Sequence, residues 1–243
     1  IKIITGIRRS GKSKLMQAYI EYLKSHYENI NIIYIDFMDL AYEDIKEYHA
    51  LHTYVEEHYQ EGKTNYLFVD EVQMCPRFEL AVNSLYSKGK YDIYVTGSNS
   101  KLMSSEISTY LTGRYISIPV YTLSFAEYLE FKKESGHTAK ELLNEYIRTG
   151  GFPIVALGNF DERSAYQIVE GIYSSVITGD ITKRHNITNF DLFNRVVKYV
   201  VENVGKTFSA NAIVKFMKSE GRSLSVESVY NYLEWLEKAF IIY

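Results

Sequence analysis

The sequence predicts an α/β fold, with a parallel five-stranded sheet followed by a long helical stretch. Three observations carry this. Through residue 120, short runs apolar on both faces alternate with segments of helical periodicity, the pattern of a parallel sheet covered by helices on both sides. A glycine-rich turn, "GIRRSGKS" (6–13), stands between the first such run and the first helix. After residue 123, strand-like runs give way to helices almost without a break.

The elements follow in order. "IKIIT" (1–5) reads as a buried strand, and after the turn Leu15, Tyr19, Tyr22 and Leu23 recur at helical spacing. "INIIYIDF" (30–37) is the second strand, and Ile45, Tyr48, Leu51, Val55 and Tyr59 mark a second helix. "NYLFVDE" (65–71) is the third strand, with Pro76 able to begin the helix after it. "YDIYVTGS" (91–98) and "RYISIPV" (114–120) are the fourth and fifth strands. Ser124 caps a helix through Phe131, a helix over about 138–149 leads into "GGFP" (150–153), and longer helices cover roughly 162–183 and 188–204. Ser209 caps a helix through Ser219 that Gly221 ends, and Ser225 caps a helix through Ala239. Helix, short turn, helix and then a strand "FIIY" is the outline of a winged helix-turn-helix.

Composition narrows the class. The 243 residues are 46% hydrophobic and 23% charged, with a net charge of -3. That balance suits one large globular domain with a small appendage and argues against a strongly basic, non-specific nucleic-acid binder. The single cysteine, Cys75, rules out an intrachain disulfide, so a reducing, cytoplasmic setting is expected. No signal peptide and no apolar run of about 20 residues is present, so no membrane partner is expected. The chain opens on a strand without a Met and closes on another apolar run, so a fragment of a longer polypeptide is expected.

Gly6-Ile7-Arg8-Arg9-Ser10-Gly11-Lys12-Ser13 matches G-x-x-x-x-G-K-[ST] without departure. Its glycines let backbone N–H groups close around phosphate oxygens, and the following helix adds its positive dipole end. With ATP or ADP as the nucleotide, Lys12 would neutralise the β-phosphate and, in ATP, the γ-phosphate, and Ser13 would ligate Mg²⁺, with Lys14 next in the loop. The fold class is therefore that of a P-loop NTPase. "YLFVDE" delivers Asp70 to the end of its strand to hold Mg²⁺, and Glu71 to orient and polarise the attacking water. In "TGSNS" (96–100), Asn99 and Ser98, with Thr96 behind them, can touch the γ-phosphate or that water; a helix-capping turn is the alternative. Arg114 in "LTGRY" could stabilise charge on the transferring phosphoryl group, from its own subunit or a neighbour, or simply sit at a turn. "GGFP" could set the Pro153 ring against an adenine, or merely stop one helix and start the next. His49, His52 and Glu56 have a spacing that could bind zinc, though a solvated helix face accounts for them more simply. Asp180 and Arg184, four apart, read as a surface ion pair.

With these residues in hand, the chain resembles the AAA-type P-loop ATPases of archaea and bacteria, in particular a group whose loop reads "GxRRxGKS". The resemblance rests on "GIRRSGKS", "YLFVDEVQ", "YVTGSNS", "LTGRY", "TLSFAEYL" and "GGFP" in that order, then "GDITKRHNI" and "SVYNYLEWLEKAFII". It implies an ATPase core over 1–123, a helical lid over 124–187 and a winged helix-turn-helix over 188–243, cut at the wing, normally followed by a nuclease-like domain absent here. It further implies that Arg114 is an arginine finger or sensor and that "GGFP" is similar to a "GxP" motif packing on adenine. One departure is Lys14, where many relatives carry Thr.

The expected function is Mg²⁺-dependent ATP hydrolysis driving a switch or remodeller, with a protein partner or self-association. The runner-up is an ATP-regulated DNA-binding protein using the winged helix. Its third helix carries Glu227, Glu234 and Glu237 against Lys238, with Asn231 as a candidate base reader, and that acidic balance opposes DNA. A small-molecule kinase is the third reading; the segment 121–150 holds only Arg148 as arginine, and Glu71 favours water as acceptor.

Overall fold

The computed structural model describes residues 1–97 and 110–243. The chain divides into two compact units, Ile1–Val169 and Glu170–Tyr243.

The first unit is built on five parallel strands: β1 (Lys2–Thr5), β2 (Ile30–Asp36), β3 (Thr64–Asp70), β4 (Tyr91–Thr96) and β5 (Ile116–Pro119). Their order is β2-β3-β4-β1-β5, so β4 lies between β1 and β3. All four ladders are parallel, which sends every strand's C-terminus to one edge of the sheet. The alternation of side chains explains why the strands are apolar on both faces. Ile3, Ile33, Ile35, Leu67, Val69, Ile93 and Val95 point to one face, where they meet Leu51 and Val55 of α2 (Tyr48–Glu57) and Val82 and Leu85 of α3 (Phe78–Ser87). Ile4, Phe68 and Tyr94 point to the other, against Met16, Ile20 and Leu23 of α1 (Lys12–His26). Full burial of each such side chain contributes about 1.5–3 kcal/mol.

The α1 face differs in part from the expectation. Leu15 and Tyr22 are exposed; Leu23 is buried and Tyr19 packs against the same face as expected, and Met16 and Ile20 complete the set. Pro76 also stands two residues ahead of its helix, which starts at Phe78 after Arg77 in a left-handed conformation.

Beyond the sheet, α4 (Phe125–Phe131) and α5 (Ala139–Thr149) each begin with a complete capping box, Ser124 with Glu127 and Thr138 with Glu141. A short helix, α6 (Pro153–Leu157), has Pro153 in its first turn, and Tyr128, Leu142 and Ala156 close a small core of their own.

The boundary between the units falls within α7 (Glu162–Ser175), which runs into a π-helical turn, Val176–Thr182. Asp180, expected in a surface pair, is only 4% exposed. A π turn inserts an extra residue and shifts the helical phase, which a uniform 3.6-residue period does not anticipate. The second unit continues with α8 (Phe190–Glu202), α9 (Ala210–Ser219) and α10 (Val226–Lys238), sharing a core of Leu192, Val196, Val200, Ile213, Met217 and Val229. Asn189, Ser209 and Ser225 cap them. The expected strand "FIIY" does not form. Ala239 and Phe240 turn, Phe240 at φ 60, and no strand pairs with the segment among the described residues. A strand without a ladder leaves its N–H and C=O groups to water and has little to hold it extended. Among the described residues no helix is long and apolar enough to cross a membrane.

Candidate functional site

The site begins where β1 leaves the sheet. Gly6 has φ 147, and a Cβ there would lie 2.1 Å from the Val120 carbonyl oxygen. Only glycine lets the chain turn so close to the segment after β5, to which it is tied by Val120 N–H donating to Thr5 O at 2.7 Å. The loop passes through Arg9 at φ 65 and Gly11 at φ 102 before α1 starts at Lys12. The positive φ values keep the backbone from continuing as strand or helix, so it wraps into a cradle. Ile7 is buried, Arg8 half-buried and Arg9 exposed.

Lys12 is 4% exposed, and its ammonium donates to Gly6 O at 3.0 Å and Ile7 O at 2.8 Å. A buried cation is therefore fixed inside the loop by the loop's own carbonyls. Ser10 is also buried, and its Oγ has no hydrogen-bond partner among the described residues. A cradle holding a buried ammonium and an unsatisfied hydroxyl fits an anionic, oxygen-rich ligand such as a nucleotide's phosphates. Ser13 is half-buried on the first turn of α1, while Lys14 is exposed and its Nζ donates to Gln17 Oε1 at 3.2 Å along the helix surface.

The carboxylates lie at the same edge of the sheet, but not on the neighbouring strand. Because β4 intervenes, Asp70 stands two strand spacings from β1, about 10 Å. Thr96, at the end of β4 and fully buried, bridges that gap. Its Oγ1 donates to Asp70 Oδ1 and accepts from the Glu71 N–H at 3.1 Å, and the Glu71 N–H also reaches Asp70 Oδ1 at 3.1 Å. Asp70 is 2% exposed, with Oδ1 bonded to Thr96 and to the Glu71 N–H, and a buried carboxylate fixed at this edge of the sheet fits a hard cation such as Mg²⁺. Glu71 leaves the strand at φ 52, ψ 45, a left-handed conformation rare for a non-glycine residue, and its Oε2 accepts from Gln73 Nε2.

Pro153 is brought to the loop as well. Gly151 is pressed on Leu123 so closely that a Cβ would sit 2.2 Å from Leu123 O, and Leu123 N–H donates to Gly151 O at 2.7 Å. So pinned, the "GGFP" turn places Pro153 Cγ 3.8 Å from where a Cβ of Gly11 would be.

Arg114 is not brought to this loop. It precedes β5, at the N-terminal end of the sheet; its carbonyl accepts from the Ile1 amine at 3.1 Å. Ile1 and Thr5 are four residue steps apart through β1, about 13 Å. The Arg114 guanidinium donates to Asn83 Oδ1 and lies 5.9 Å from the Tyr86 ring centre. Ser98 and Asn99 lie outside the described residues. His52 pairs with Ser84 Oγ at 3.2 Å and Glu56 with Lys88 and Tyr91, and no group of three or more His, Cys, Asp or Glu side chains placed to hold a metal is found among the described residues. Burial pushes the Cys75 thiol up to about 12, which removes it as a nucleophile. Two residues of the site were not singled out by spacing for the contacts they make. Thr96 holds Asp70 only because β4 is inserted beside β3, and Gln73 meets Glu71 only because Glu71 is left-handed.

Comparison with known proteins agrees with this geometry. Residues 1–129, more than half of the chain, match the AAA domain family, and residues 140–243 match a domain of unknown function. An uncharacterized protein of Haemophilus influenzae is 33% identical over 247 residues, covering all of this chain and 61% of the relative. One from Methanocaldococcus jannaschii is 30% identical over 257 residues, covering all of this chain and 56% of the relative. The chain thus spans between half and two thirds of the length of these relatives. Similar solved structures include AMPPCP-bound DnaA from Aquifex aeolicus, at 14% identity, 97% of this chain, 81% of that one and a TM-score of 0.42. They also include the Aeropyrum pernix ORC1 protein in complex with DNA, at 11% identity, 98% of this chain, 77% of that one and a TM-score of 0.38. From its loop, its strand order and its match over residues 1–129, the chain belongs to the AAA domain family, the ATP-binding AAA-type P-loop ATPases.

Proposed function

We propose that this chain hydrolyses ATP and uses the cycle as a switch or remodeller. The observation that carries the reading is the bonded set Asp70–Thr96–Glu71 at the sheet edge that also bears the Gly6–Ser13 loop. A passive nucleotide holder has no use for a second carboxylate held there in a strained backbone. In this reading the loop N–H groups and Lys12 bind the phosphates, and Ser10 Oγ gains a partner in a phosphate oxygen. Asp70 and Ser13 hold Mg²⁺, which when bound supplies charge neutralisation at the β- and γ-phosphates. Glu71 orients and deprotonates the attacking water. Ser98 and Asn99 sense the γ-phosphate. Arg114, about 13 Å of strand away from its own loop, serves a neighbouring copy, so self-association belongs to the reading.

Pro153 supports coupling. A ring resting on Gly11 would feel any change in the loop on nucleotide binding and pass it to the helices of a lid over 124–187. Residues 188–243, whose expected wing strand does not form, then act as a helix-turn-helix unit that contacts protein. The exposed side of α10 presents Glu227, Tyr230, Asn231, Glu234 and Glu237, and Lys238 is paired with Glu234, which is poor chemistry for a phosphate backbone. A reducing compartment such as the cytoplasm suits the single buried thiol. Phosphate release from ATP with no second substrate tests the reading and separates it from a kinase; conversion of ATP to ADP only on adding an acceptor, with the phosphoryl group recovered on that acceptor, would overturn it.

A further inference from the structure

Gln73 sits in a single 3-10 turn, Val72–Met74, directly after Glu71. The turn's backbone is fixed: Val72 and Cys75 are fully buried on either side, Met74 N–H donates to Glu71 O at 2.9 Å and Cys75 N–H to Val72 O at 3.0 Å. Side chains two residues apart do not normally face each other. Here the left-handed Glu71 folds the chain back, and Gln73 Nε2 donates to Glu71 Oε2. Among the described residues this is the one hydrogen bond of the Gln73 side chain, and its Oε1 is buried without a partner.

That combination is unfavourable for the fold alone. An apolar side chain of the same length would fill the space without burying an unsatisfied oxygen. The polar amide is explained by what it holds. A carboxylate that must face a water in one orientation gains from a donor on its far oxygen, and a backbone strained for that contact is what a functional site retains.

We propose that Gln73 is a positioning residue for Glu71, holding the carboxylate in the orientation from which it activates water. This deepens the ATPase reading and rests on it. The side-chain amide is also oriented by the bond: turned over, Oε1 would face a carboxylate oxygen.

The test uses the whole chain carrying Gln73→Met, which keeps length and packing and loses the donor. The expected result is a nucleotide Kd within about twofold of the parent, an unlowered thermal midpoint, and kcat for ATP reduced roughly tenfold or more. In a Glu71→Gln background the same substitution should lower kcat no further, since the residues act as one unit. An activity-independent readout is the Gln73 side-chain amide in ¹H–¹⁵N spectra, which should shift on Glu71→Ala. A Gln73→Met chain hydrolysing at the parent rate while Glu71→Gln is slow overturns the positioning role and leaves the ATPase reading standing. So does a fall in kcat matched by an equal loss of nucleotide affinity. If Glu71→Gln is itself as fast as the parent, the ATPase assignment of Glu71 fails, and an amide signal unmoved by Glu71→Ala removes the bond as well.

Discussion

Thr96→Val isolates the bridge between the two halves of the site. Valine is nearly isosteric, so the fully buried position remains filled, but the hydroxyl's two roles are lost together. Asp70 Oδ1 loses a donor and the Glu71 N–H one of its two acceptors. A hydrogen bond to a charged, buried carboxylate contributes about 1.5–3 kcal/mol. At roughly 2–4 °C per kcal/mol for a chain of this size, the thermal midpoint should fall about 3–12 °C. Catalysis should fall further than stability implies, because Asp70 and Glu71 are both set by the lost group; at about 1.4 kcal/mol per tenfold, a tenfold drop in kcat is the minimum expected. Thr96→Ser keeps the hydroxyl and should recover most of both losses. The assays are thermal denaturation without nucleotide and phosphate release at saturating ATP. If Thr96→Val melts and turns over as the parent does, the bridge is incidental and the reasoning fails.

Other expectations follow from the same geometry. Gly6→Ala places a Cβ 2.1 Å from Val120 O at a φ that disfavours it, so nucleotide affinity should fall by well over tenfold in a titration with fluorescent ATP, with overpacking and strain costing roughly 2–6 kcal/mol. Stability should decline as pH rises above 9: Cys75 is pushed up to about 12 by burial, and Tyr91, Tyr94 and Tyr128 are raised in the same way. The unfolded chain sheds these protons first, so the sign is loss of stability with rising pH, measurable as a falling urea midpoint between pH 9 and 11. The chain should bind duplex DNA no tighter than about 10⁻⁶ M in an electrophoretic shift at physiological salt, given the acidic side of α10; a nanomolar, sequence-dependent shift would restore the DNA-binding reading.

Much of the fold was legible because it is written in local patterns. The loop "GIRRSGKS" names its own chemistry, and Ser124, Ser209 and Ser225 announce their helices as N-caps. What spacing could not supply is strand order. Thr96 touches Asp70 because β4 pairs with β3, a relation with no signature in the residues between. The parallel run of β5 is predicted by the periodicity, and it places Arg114, ahead of that strand, at the end of the sheet away from the loop. The buried Asp180 was misread because a π turn breaks the helical period, and "FIIY" because β-propensity does not provide a pairing partner. Glu71 was identified from its neighbour Asp70, but its left-handed backbone, and with it the reach of Gln73, is a property of the folded turn.

The central claim is that Glu71 turns a phosphate-binding loop into a hydrolase. Phosphate release measured beside nucleotide affinity, for the parent chain and Glu71→Gln, tests it most directly. Equal affinity is expected, with turnover lower by about 10²–10⁴, the usual contribution of a general base. Equal turnover in the two chains would contradict it.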